Sequence, residues 1–116
     1  MLDSFGHSSY NARMFAEEGF DAQFIGRSDL MDERSRKENK EMQFVWQPTD
    51  SDQILTHTLD FRYTSPFHFE FDKQPEQWGD DPKHVFTLAE ELQERASYYK
   101  TSHLLVLFGD DFTYKQ

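Results

Sequence analysis

Cysteine is absent from the 116-residue chain, which excludes disulfides and thiolate metal sites. Also absent is any uninterrupted apolar run of about eighteen residues, and with it any visible membrane span. No basic stretch leading into an apolar one opens the chain, so no signal peptide is visible, and a secretory address would lie outside these residues. Basic side chains are scarce. Twelve Lys and Arg against 22 Asp and Glu leave a formal charge of −10, which repels phosphate backbones and argues against nucleic acid as a partner. A neutral or cationic ligand suits this balance better. Aromatic residues are plentiful instead: 12 Phe and 5 Tyr in a chain that is only 36% hydrophobic. Such rings serve a core first, and stacking on sugars is their other use. The length suits a single domain at most.

The opening MLDSFGHSSY reads as the last residues of a buried strand, Met1 and Leu2, running into Asp3 and a glycine-containing turn. Ser8 or Ser9 is an N-cap for a helix over about 9–18, and Gly19 stands where a left-handed residue ends it. Residues 22–26 predict a short strand with Arg27 directly after it. The charged run 29–41 predicts an exposed helix held by spaced opposite charges. Apolar and aromatic character returns over 42–46, and 54–59 predicts another strand. Residues 60–80 read as an irregular aromatic loop, punctuated by Pro66, Pro75 and Gly79. Asp81 and Pro82 start the strongest helix, expected to run to about Lys100. Val85, Leu88, Ala89, Leu92, Ala96 and Tyr99 form its apolar stripe, opposite a polar face of Glu90, Glu91, Glu94 and Arg95. The continuous apolar run 104–108 then predicts a parallel strand buried on both faces, ending at Gly109, Asp110 and Asp111.

Asp3, Arg27 and the Asp110–Asp111 pair thus each follow an apolar strand in an α/β chain. If the strands are parallel, right-handed crossovers bring their C-terminal ends to one edge and these groups together. Two carboxylates, one kept ionised by a cation and one held protonated, are what glycoside cleavage requires. Arg27 would lower the pKa of whichever carboxylate it touches. The plainer roles are a turn or capping residue for Asp3, a surface ion pair for Arg27 and an ordinary turn at Asp110–Asp111.

The wording of these segments adds a resemblance. Asp-Ser-Phe-Gly-His-Ser at 3–8 resembles the Asp-Pro-Phe-Gly-His-Ser of glycoside hydrolase family 38, the class II α-mannosidases, especially the lysosomal ones. Further segments follow in register: Met14-Phe15-Ala16, Gly19-Phe20-Asp21, Phe24-Ile25-Gly26-Arg27, Gln43-Phe44-Val45-Trp46, Tyr63-Thr64-Ser65-Pro66, and the block from Tyr98 to Tyr114. Nearly the whole chain is covered. The resemblance implies that residues 1–116 are an internal, parallel-strand slice of a (β/α) barrel-type catalytic domain, whose remainder is its natural partner.

The resemblance also implies roles. Asp3 would be the nucleophile and a zinc ligand, and Asp111 the general acid and base. Phe5, Arg27, Tyr63 and Asp110 would bind a mannose-containing oligosaccharide. The implied reaction is retaining hydrolysis of terminal α-mannosides of N-glycans, in the lysosome or secretory pathway. The family's other zinc ligands, a His-x-Asp pair from an earlier strand and a later His, are not in this chain. Its own histidines, His7, His57, His68, His84 and His103, lack the paired spacing of a metal site. The isolated segment is therefore expected to be inactive. The rival expectation is a small acidic binding module working through the aromatic loop at 60–80.

Overall fold

In a computed structural model, which describes residues 2–66, 69–71 and 82–114, seven elements follow in the order α1 (Ser9–Glu17), β1 (Ala22–Ile25), α2 (Leu30–Asn39), β2 (Gln43–Trp46), β3 (Ile54–Thr58), β4 (Asp60–Tyr63) and α3 (Pro82–Ala96). Three strands form a sheet in the order β1-β3-β2. β1 runs parallel to β3, with Ala22 opposite Leu55 and Ile25 opposite Thr58. β2 runs antiparallel to it, with Gln43 opposite His57 and Trp46 opposite Ile54. The sheet is mixed, which corrects the expectation of an all-parallel slice. A parallel step needs a crossover, which α2 and β2 supply between β1 and β3, whereas a loop of seven residues between β2 and β3 permits only an antiparallel return.

Local chemistry explains the first half. Ser8 accepts a hydrogen bond at its side chain from the Tyr10 amide and caps α1. Gly19, at φ +85°, takes the left-handed conformation that ends it. Asp29 caps α2 by accepting from the Met31 and Asp32 amides. Three ion pairs four residues apart, Asp32–Arg36, Glu33–Lys37 and Arg34–Glu38, then support a helix that buries no residue. The core lies on β3. Ile54, Thr56, His57 and Thr58 are buried there, with Ala12 of α1 and Met42 at the entry to β2.

The second half departs from expectation. Asp60–Tyr63 is a strand rather than part of a loop, while 67–68, 72–80 and the Asp81 cap, with His68, Pro75 and Gly79, lie outside the described residues. α3 ends at Ala96, four residues early, and Val85 on its apolar stripe is exposed. Arg95, assigned to the solvated face, is only 7% exposed. Its guanidinium grips Asp60 with two nitrogens, Nη2 donating to Oδ1 at 3.1 Å, and the Tyr99 hydroxyl donates to the same oxygen and to the Thr58 carbonyl, both at 3.2 Å. Residues 104–108 form no strand, and Leu105 and Phe108 are partly exposed. A strand buried on both faces needs a hydrogen-bonded neighbour, and among the described residues the sheet β1-β3-β2 does not extend to this run.

Candidate active site

Asp3 reaches the site because of a glycine. A side chain at Gly26 would overlap the Leu2 carbonyl, so the bare backbone at the end of β1 lets residues 2 and 3 lie against it. Arg27, one residue further on, donates from Nε to Asp3 Oδ1. The Arg27 guanidinium, followed by the Tyr63 hydroxyl, holds the Asp3 carboxyl below the usual carboxylate range. Asp3 raises the Arg27 pKa in return. Arg27 is flanked by aromatic faces, 4.8 Å above the Phe5 ring and 5.9 Å from that of Tyr63. His7 fixes the backbone of the same residue, donating from Nε2 to the Arg27 carbonyl at 2.6 Å.

Asp111 arrives by another route. Ser65, two residues beyond the end of β4, donates its amide to the Gly109 carbonyl at 2.8 Å, and its Oγ accepts from the Gly109 amide at 2.8 Å. This two-way clamp sets the 109–111 turn beside Tyr63. The Tyr63 hydroxyl then donates to Asp111 Oδ2 at 3.4 Å. The Asp110 carboxylate accepts from the Asp111 amide at 2.8 Å, and the Asp110 amide donates to Thr113 Oγ1 at 2.9 Å. The Tyr63 pKa is raised. Arg27, the largest single influence, opposes the rise, which burial, Asp3 and Asp111 together outweigh.

Asp3, Phe5, Arg27, Tyr63 and Asp111 are therefore brought into one cluster, with Asp110 in its supporting turn. The convergence does not come from three parallel strand ends. Only Arg27 follows a strand in the structure, while the 109–111 turn is placed by Ser65. Sequence reasoning missed Ser65, His7 as the brace of Arg27, and the Asp60–Arg95–Tyr99 cluster behind β4. The one available signal was Arg95 adjoining the apolar stripe of α3.

Arg62 and Phe112 take positive φ, 48° and 61°, immediately before Tyr63 and after Asp111. Non-glycine residues in this region are uncommon and concentrate at functional sites. No group of three or more His, Cys, Asp or Glu able to hold a metal occurs among the described residues. Asp3 is the sole acid of this cluster expected to bind metal, and Arg27 occupies it, so these residues do not make a zinc site by themselves.

The family model for the glycosyl hydrolases family 38 N-terminal domain matches residues 1–116. The chain belongs to glycosyl hydrolase family 38. It is 40% identical over 124 residues to a lysosomal alpha-mannosidase of Dictyostelium discoideum, an alignment covering 97% of this chain and 12% of that protein. It is 32% identical to the human lysosomal alpha-mannosidase, over 98% of this chain and 13% of that one. Alpha-mannosidase F of Dictyostelium discoideum is 31% identical, over 98% and 12%. The chain thus spans about an eighth of the length of these curated relatives of its family 38 segment.

Proposed function

We propose that residues 1–116 carry the two catalytic carboxylates of an α-mannosidase, within a longer barrel-type catalytic domain that hydrolyses terminal α-mannosides of N-glycans with retention. The observation behind this is the linked set Asp3, Arg27, Tyr63 and Asp111, in a chain of family 38. Asp3, kept ionised by Arg27, attacks the anomeric carbon and forms a mannosyl ester. Asp111 gives its proton to the departing sugar oxygen, then takes one from the water that cleaves the ester. Phe5 and the Tyr63 ring flank the sugar, and Asp110 meets a hydroxyl or steadies Asp111. Zinc dependence is part of the proposal only for the longer protein, since its other ligands would lie outside this segment. The lysosomal relatives support a place in the lysosome or secretory pathway.

The test is turnover of an aryl α-mannoside by the full-length protein. Asp111→Asn is expected to lower kcat by about 10²–10⁴-fold. Asp3→Asn is expected to abolish turnover, and full activity in either variant contradicts the assignment.

A further inference from the structure

We propose that Ser65 is the positioning residue of the acid/base carboxylate, holding the turn that carries Asp111 where a proton can reach the departing sugar. The role of Asp111 rests on the α-mannosidase reading; the clamp itself does not. Residues 104–108 form no strand, so no sheet ladder among the described residues fixes the chain that leads to Asp111. Phe108 packs on Phe71 with ring centres 5.3 Å apart, a contact that sets no hydrogen-bond register. The Tyr63 hydroxyl holds Asp111 only loosely, because 3.4 Å is long for a hydroxyl donating to a carboxylate. Ser65 supplies what these contacts leave open.

It takes both backbone groups of Gly109 at once. The Ser65 amide donates to the Gly109 carbonyl at 2.8 Å, the Gly109 amide donates to Ser65 Oγ at 2.8 Å, and that hydroxyl donates to the same carbonyl at 3.2 Å. An alanine would keep the first contact and lose the other two. Ser65 is buried, and Pro66 after it restricts its backbone to extended conformations, so the clamp is stiff on its own side. On the other side the turn is tied to itself. Thr113 Oγ1 accepts from the Asp110 amide and donates to the Asp110 carbonyl, both at 2.9 Å, and the Asp111 amide donates to Asp110 Oδ1 at 2.8 Å. Residues 109–113 thus move as one piece, and the Ser65 contact sets where its carboxylate stands. Retaining cleavage needs its two carboxyl groups about 5–5.5 Å apart, a geometry that a displacement of about 1 Å spoils.

Leaving groups separate this role from a merely structural one. As an Asp3 oxygen bonds to the anomeric carbon and the glycosidic bond breaks, a departing sugar oxygen must take the Asp111 proton, whereas 2,4-dinitrophenolate departs without one. In the full-length protein, kcat/KM, which reads the steps up to the ester, is compared between an α-linked mannobiose and 2,4-dinitrophenyl α-mannoside. Ser65→Ala is expected to lower the mannobiose value by about 10–100-fold and to leave the dinitrophenyl value nearly unchanged, with an unchanged circular dichroism spectrum. Ser65→Cys keeps the shape but offers only a weak acceptor, so it should show the same selective loss to a smaller degree, and it decides the matter if the alanine variant does not fold. Asp111→Asn is the reference. If it loses mannobiose selectively while the Ser65 variants lose both substrates equally, or neither, the Ser65 proposal is overturned and the role of Asp111 stands. If Asp111→Asn itself shows no selective loss, the acid/base assignment falls, and the positioning role of Ser65 falls with it.

Discussion

Asp3 shows how one contact sets the charge state of the carboxylate proposed as nucleophile. Its pKa is depressed mainly by the Arg27 hydrogen bond, so the stabilisation it gives is present above about pH 3.9, its ordinary value, and is lost as the pH falls through the lower folded value. Arg27→Gln should therefore move the Asp3 titration, followed by NMR at the carboxylate carbon, up toward that ordinary value; an unmoved midpoint contradicts the contact. His57 works in the opposite sense. Burial lowers its pKa, and its Nδ1 is engaged by Gln43 at 2.9 Å while Nε2 has no partner. The unfolded chain binds that proton more readily, so stability should fall as the pH drops below about 6.5. Urea unfolding at pH 7 and pH 5 measures the loss, and His57→Gln should reduce it. The carboxylates and Arg27 were legible in the sequence because each sits in a worded segment. Ser65 and His7 were not, since a serine or histidine that braces a distant backbone has no local pattern.

Among the elements, legibility tracked how local the cause was. α1, β1 and α2 follow from caps, a glycine and spaced charges within a few residues, and their bounds agree with expectation to within two residues or so. Gly19 isolates one such cause. A Cβ there would meet nothing within 4 Å, so Gly19→Ala costs only the left-handed backbone, about 1–2 kcal/mol by denaturant unfolding. A cost near zero would mean that α1 ends for another reason. Gly26 is the contrast, because there a methyl group collides with backbone, and Gly26→Ala should displace Asp3 from Arg27 as well as destabilise the chain. Residues 104–108 and the far stripe of α3 were misread because a continuous apolar run records that a segment is covered, not what covers it. β4 was missed because its four residues, Asp60 to Tyr63, carry charges that break the alternation, one of them buried against Arg95.

At the scale of the molecule, the Asp60–Arg95–Tyr99 cluster ties α3 and the residues after it to β3 and β4. The side chains of Arg95 and Asp60 are 8% and 1% exposed, so removing one partner strands a buried charge. Arg95→Leu should cost about 3–5 kcal/mol, a large share of a typical domain's 5–15 kcal/mol. The double change Asp60→Asn with Arg95→Leu should cost less than Arg95→Leu alone in the same urea experiment. The radius of gyration is 16.4 Å, against about 13 Å for a compact domain of this length. Beside β1 an apolar cleft of about 500 Å³ lies open, lined by Leu2, Phe15, Phe20, Phe24, Leu105 and Leu107 among others. Both features support the proposal that these residues belong to a larger catalytic domain.

The central claim is that Asp3 attacks the sugar, and the most direct measurement is to trap it. Full-length protein treated with a 5-fluoro-α-mannosyl fluoride, digested and mapped by mass spectrometry should carry the mannosyl label on Asp3. A label on another residue, or turnover with inverted product and no label, would contradict the account.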